Sequence, residues 1–104
     1  MEDYENLRHE EEALDMLSRS LPPNHPNWLR RKRQVAIAYG NAGRNREAKV
    51  ILEETLAVQS ETLGADSLDA IETMAILAEI LERMGEMDLA IVNFKTIVDV
   101  RTEV

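Results

Sequence analysis

Apolar residues recur along most of the chain at intervals of three and four, the spacing of an amphipathic helix. The predicted helices cover about residues 3–20, 27–41, 45–62, 67–84 and 86–103. The first stripe is the weakest, because Glu10 and Glu11 interrupt it. The pattern requires no strand, so it predicts an all-α chain of five antiparallel helices in one domain, residues 1–104.

The predicted turns carry residues suited to helix ends. Three prolines exclude helix after the first stripe: Pro22, Pro23 and Pro26. Asn27 and either Asp66 or Ser67 are good N-cap types just before two of the runs. Gly43 and Gly85 follow those runs, where a residue in the left-handed conformation commonly ends a helix. These residues predict where the second and fourth helices begin and end.

The chain repeats itself with a period of 42 residues. The matched pairs include Val35 with Leu77, Ala36 with Ala78, Tyr39 with Leu81, Gly43 with Gly85, Ala48 with Ala90 and Leu52 with Phe94. Small residues match small ones and large residues match large ones, without gaps. Such a period is typical of stacked helix pairs. We therefore predict a half repeat followed by two complete helix pairs, with the alanines at the points of close helix approach.

The stretches 35–52 and 77–94 resemble the tetratricopeptide repeat. The period of 42 residues is similar to the longer subtype found in kinesin light chains and in many fungal and bacterial signalling receptors. That subtype often has a Leu-Gly-x-Asp-His-Pro-like turn, of which residues 63–66 keep the first half and residues 24–27 the second. The resemblance implies an α-solenoid of about 2.5 helix hairpins and a role in binding other proteins, and it names no partner.

Composition narrows the choice of partners. The 104 residues include 12 basic and 20 acidic side chains, for a net charge of −8, which argues against nucleic-acid binding. The chain has no cysteine, so disulfides and thiolate metal sites are excluded. No apolar run approaches the ~18 residues that span a bilayer, and the acidic N-terminus is no signal peptide. We expect a cytoplasmic protein that binds no membrane.

No set of residues points to catalysis. There is no glycine-rich phosphate loop and no spacing that suggests a Ser-His-Asp triad. His9 lies at helical spacing from Glu5 and Glu12, but one histidine beside carboxylates is a poor transition-metal site. We predict no enzyme activity, no catalytic residue, no cofactor and no metal.

The first candidate binding surface is a concave groove formed by the first helix of each pair. Its predicted residues are Arg30, Arg33, Gln34, Ile37, Glu72, Ile76 and Glu79. The basic run at residues 30–33 could hold an acidic peptide. Alternatively, these side chains form ion pairs within the chain, with Asp15 facing the neighbourhood of Arg33. Four consecutive helical residues step ~100° each, so they cannot all face one way.

The second candidate is the outer surface of the last helix, which no following helix covers. Terminal repeats normally need a polar outer face, yet Lys49 is matched by Ile91 and Thr55 by Ile97. The predicted C-terminal surface consists of Ile91, Val92, Ile97, Val100 and Val104. Its expected occupants are a second copy of the chain, giving a homodimer or larger oligomer, or a helix of another protein.

The sequence therefore predicts a protein-interaction or scaffold module that binds a protein or peptide. The C-terminal surface is favoured, because uncovered apolar area at ~25 cal/mol per Å² drives association more strongly than exposed charge pairs do. Two alternatives stay open. The chain could be a structural segment of a larger signalling receptor or motor adaptor, or its groove could bind acidic peptides.

Overall fold

The computed structural model describes residues 2–22 and 25–102. Its helices are α1 (Glu2–Ser20), α2 (Pro26–Asn41), α3 (Asn45–Leu63), α4 (Leu68–Arg83) and α5 (Met87–Thr102). Within those two ranges no strand occurs. The predicted all-α solenoid is confirmed.

Each helix packs against the next one along the chain, and α2 also contacts α4. This arrangement gives a flat stack with extents of 38 × 31 × 16 Å. The first helices of the two pairs, α2 and α4, therefore lie side by side. Both α3 and α5 are second helices, and α4 packs between them.

The period of 42 residues is a property of the backbone as well as of the sequence. Adding 42 to the bounds of α2 gives the bounds of α4. Gly43 and Gly85 have φ values of 81° and 79°, the left-handed conformation predicted for them. The residue after each glycine closes the turn in the same way. The N–H of Arg44 donates to the carbonyl of Tyr39 at 2.8 Å, and the N–H of Glu86 donates to the carbonyl of Leu81 at 2.9 Å.

Alanines set the close contact between paired helices. Ala36, Ala48 and Ala78 have no exposed surface and Ala90 has almost none. Ala36, Ala48 and Ala90 belong to one core cluster with Leu52, Leu77, Ile80 and Leu81. A further small residue was not expected there. Gly40 lies inside α2, where a Cβ atom would be 2.7 Å from Cδ1 of Ile80, so it allows α2 and α4 to approach closely.

The caps agree with the prediction for one helix and correct it for another. Ser67 caps α4, its hydroxyl accepting the N–H of Ala70 at 3.2 Å. The cap of α2 is His25, and not Asn27. Nδ1 of His25 accepts the N–H of Asn27 at 3.1 Å. Pro26 takes the first helical position because its φ suits a helix and its missing N–H would have no partner there.

Candidate protein-binding surfaces

The basic side chains of the concave groove are held by the acidic side chains of α4. Nε and one terminal nitrogen of Arg30 each lie 3.2 Å from a carboxylate oxygen of Asp69. Arg33 lies 3.1 Å from Glu72 and 3.7 Å from Asp69. Asp69 is thus shared by two arginines. The hydrogen bond to Asp69 raises the pKa of the Arg30 guanidinium above its ordinary value.

Arg33 forms its ion pairs within the chain, with Asp69 and Glu72 of α4. Lys32 points elsewhere and lies 3.6 Å from Glu54 of α3. Successive residues of one helix face different neighbours, so the run at 30–33 is divided among several helices. It is not a single free basic patch.

The other predicted groove residues lie on the same two helices. Gln34 and Glu79 are exposed, Ile37 is exposed over 38% of its surface, and Ile76 is half-buried. Glu79 makes no ion pair with another described residue. Binding of a peptide by this groove stays a prediction.

Asp69→Asn is expected to lower the free energy of unfolding by about 1–2 kcal/mol, because it removes the charge that pairs with a largely covered guanidinium. The Arg33 and Asp69 side chains are only 14% and 18% exposed. Glu54→Gln is the matched control, since Glu54 is a 63% exposed member of a single pair, and we expect less than about 0.5 kcal/mol. Urea unfolding of both variants measures the difference. Equal values would mean that the shared pairing contributes nothing.

The outer side of α5 presents an apolar stripe. Its residues are Met87, Ile91, Phe94 and Val98, which follow one another at helical intervals of four, three and four. They are between 39% and 60% exposed. We call this set the α5 stripe.

The equivalent stripe of α3 is covered by α4. Leu52 is fully buried, whereas Phe94, its equivalent in α5, is 39% exposed. Leu56 packs against Ile71 and Met74 of α4, whereas its equivalent, Val98, is 60% exposed. On α3 the same side also carries Lys49, which lies 3.2 Å from Glu86. The α5 stripe is thus exposed, whereas its counterpart on α3 is covered.

The structure changes the membership of the predicted C-terminal surface. Ile91 is exposed as expected, but Ile97 is only 7% exposed and packs with Ile71 and Met74. A helix turns 100° per residue, so Ile97 faces α4 while its neighbour Val98 faces outward. Val92 is exposed but lies on another flank of α5, one residue from Ile91. The side chain of Val100 and all of Val104 lie outside the described residues.

A shallow pocket of about 290 Å³ was not predicted from the sequence. Its lining is mainly apolar: Tyr39, Arg46, Glu47, Val50 and Ile51. The hydroxyl of Tyr39 donates to Glu11 of α1 at 2.7 Å, and this bond raises the pKa of Tyr39. Arg44 lies 4.7 Å from the centre of the Tyr39 ring. No sequence signal marked this site, because its residues come from two different helices.

No group of three or more His, Cys, Asp or Glu side chains in the described part of the chain comes together as metal ligands would. None of its helices is both long enough and apolar enough to span a bilayer.

A family model described as tetratricopeptide repeat matches residues 28–103. The chain therefore belongs to the tetratricopeptide repeat family, whose fold is a non-catalytic scaffold that generally binds other proteins. The resemblance predicted from residues 35–52 and 77–94 is confirmed.

Solved structures are similar over almost the whole chain. Two crystal structures from Podosopora anserina, described as putative kinesin light chain nearly identical TPR-like repeats, one of them a variant with a single substitution, each match with a TM-score of 0.91 and 23% sequence identity. The match covers 96% of this chain and 47% of each structure. The chain thus spans about half the length of these structures, and the likeness concerns the fold. None of the curated proteins matches the sequence.

Proposed function

We propose that this chain is a protein-interaction module that binds its partner through the α5 stripe, and that it carries out no reaction itself. One observation carries the proposal: α4 closes the stripe of α3, while the same stripe on α5 is exposed and more apolar. Ile91 stands where α3 has Lys49, and Met87 stands where α3 has Asn45. A helix laid against α5 as α4 lies against α3 would bury all four side chains.

The energetic comparison favours the α5 stripe over the concave groove. Burying apolar surface contributes ~25 cal/mol per Å², so fully covering one large aliphatic side chain contributes about 1.5–3 kcal/mol. An acidic peptide in the groove would first have to displace Asp69 and Glu72 from Arg30 and Arg33. It would exchange one set of ion pairs for another, with little net gain.

The module could also be part of a longer array in a receptor or adaptor. The similar crystal structures are about twice as long as this chain. In that case the first helix of a following pair would occupy the α5 stripe, by the same contacts. In both cases the proposed ligand of the α5 stripe is an amphipathic helix.

The test uses a helix that already fits such a stripe. A fluorescent peptide that copies residues 67–84 contains α4, whose Leu77, Ile80 and Leu81 pack with Leu52 of α3. We expect it to bind the wild-type chain, and to bind Ile91→Glu/Val98→Glu at least about tenfold more weakly, because two charges would then face an apolar helix. Fluorescence anisotropy gives both dissociation constants.

Val50→Glu is the matched control. Val50 is a 50% exposed valine of α3 that lies away from the α5 stripe, so this variant should bind the peptide as the wild type does. A peptide with Leu77→Glu should not bind. Equal binding by the wild type and the double variant, or no binding by the wild type, would refute the proposal.

A further inference from the structure

Two opposite charges lie along one flank of the α5 stripe. Asp88 and Lys95 are both exposed, seven residues apart, and thus two turns apart on the same side of α5. Neither makes an ion pair with another residue of the described ranges. Asp99 is exposed on the same flank and already has an interaction of its own. An apolar stripe whose flank also carries the acid Asp88 and the base Lys95 can be complementary to a copy of itself.

We propose that the occupant of the α5 stripe is the α5 stripe of a second copy, which crosses it antiparallel about a two-fold axis; this inference rests on the proposed function. The axis passes near residues 92 and 93. Ile91 of one copy then lies opposite Phe94 of the other, and Met87 lies opposite Val98. Because the contact is isologous, every pair occurs twice.

The flanking charges agree with this arrangement. In an antiparallel pair about a two-fold axis, each flank of the contact meets the same flank of the other copy. Asp88 therefore faces Lys95 of the second copy, and Lys95 faces its Asp88. Along the helix axis, Asp88 of one copy and Lys95 of the other are about 3 Å out of register. A lysine side chain spans that distance. In a parallel pair about a two-fold axis each flank would meet the opposite flank of the other copy, so Asp88 and Lys95 would not face each other.

The other end of the stack explains why the assembly closes at two copies. On α1, His9 and Glu12 are exposed. A head-to-tail chain of copies would bury the α5 stripe against such polar residues, which is unfavourable. The apolar stripes of two copies can cover only each other, so the expected species is a dimer and not a filament.

Light scattering over a concentration series provides the first test. We expect a monomer–dimer equilibrium for the wild type. Asp88→Lys alone, or Lys95→Asp alone, should weaken the dimer about tenfold, because two attractive pairs become two repulsive ones. The exchange Asp88→Lys/Lys95→Asp should restore it to about the wild-type value. If the single substitutions weakened the dimer by disturbing the fold, the exchanged chain would be weakened as well, because it carries both of them. Thermal melts of all four chains check that each one is folded.

Cysteine cross-linking tests the register. The chain has no cysteine, so introduced thiols are the only ones. When Ile91→Cys and Phe94→Cys chains are mixed and oxidised, the mixed disulfide should exceed both symmetrical ones. This follows because residues 91 and 94 oppose each other, whereas 91 and 91 are offset by about 4.5 Å along the helix.

The outcomes separate this inference from the proposed function. A monomer at the highest soluble concentration, or a species larger than a dimer, overturns the inference, while the peptide titration still decides whether the stripe binds a helix. A dimer that ignores both charge reversals, or that forms mostly symmetrical disulfides, overturns the antiparallel register. A dimer that persists in Ile91→Glu/Val98→Glu lies elsewhere and overturns the inference as well.

Discussion

Leu52→Ala is expected to lower the free energy of unfolding by about 2–5 kcal/mol, the usual cost of removing a fully buried leucine side chain. Leu52 has no exposed surface and lies in the cluster that joins α2, α3, α4 and α5. A cavity at this point would loosen both helix pairs at once. A chain of this size is stabilised by only about 5–15 kcal/mol in total, so the variant should unfold at clearly lower urea concentration.

The matched control is Leu68→Ala. It removes the same atoms from a leucine that is 69% exposed at the start of α4, and we expect a change within about 0.5 kcal/mol. Chemical denaturation followed by circular dichroism measures both. If the two variants lost equal stability, the cluster around Leu52 would not be the core that unites the helix pairs.

Thr73→Val should lower the free energy of unfolding by about 1–3 kcal/mol, because it leaves a buried amide without its partner. The hydroxyl of Thr73 donates to Oε1 of Gln59 at 2.6 Å, and both residues are almost completely buried between α3 and α4. Nε2 of Gln59 already has no hydrogen-bond partner among the described residues. Without the Thr73 hydroxyl, Oε1 of that amide loses its bond as well.

A double-mutant cycle isolates this contact. Gln59→Met keeps a similar side-chain length and removes both polar atoms, so Thr73→Val should cost little in the Gln59→Met background. Urea unfolding of the four chains gives the coupling free energy. If Thr73→Val were as harmful in the Gln59→Met background as in the wild type, the loss would come from shape and not from the hydrogen bond.

These two predictions bear on the α5 stripe as well. Gln59 and Thr73 hold α4 in register on α3 through one polar contact. The α5 stripe has no such polar member, since all four of its side chains are apolar. A helix docked there would be held by shape and by the flanking charges Asp88 and Lys95. The α5 contact is therefore expected to be more easily reversed than the internal one.

The sequence by itself determined the helices and their repetition. Helical periodicity, glycine in the left-handed turn and alanine at close contacts are local requirements, and a local pattern records them. That is why the period of 42 residues, the φ values at Gly43 and Gly85 and the buried Ala36 and Ala48 agree with the prediction. The exposure of Ile91 followed from the same repeat, because its equivalent in α3 is a lysine.

Only the tertiary structure decided which side chains meet. The apolar character of Ile97 was plain in the sequence, but the rotation of α5 about its own axis turned it toward Ile71 and Met74 and turned Val98 outward. Arg30 and Asp69 are 39 residues apart, and their pairing depends on how α2 and α4 lie side by side. Periodicity assigns residues to helices and faces. The choice of partner depends on packing, because a rotation of ~100° separates each helical residue from the next.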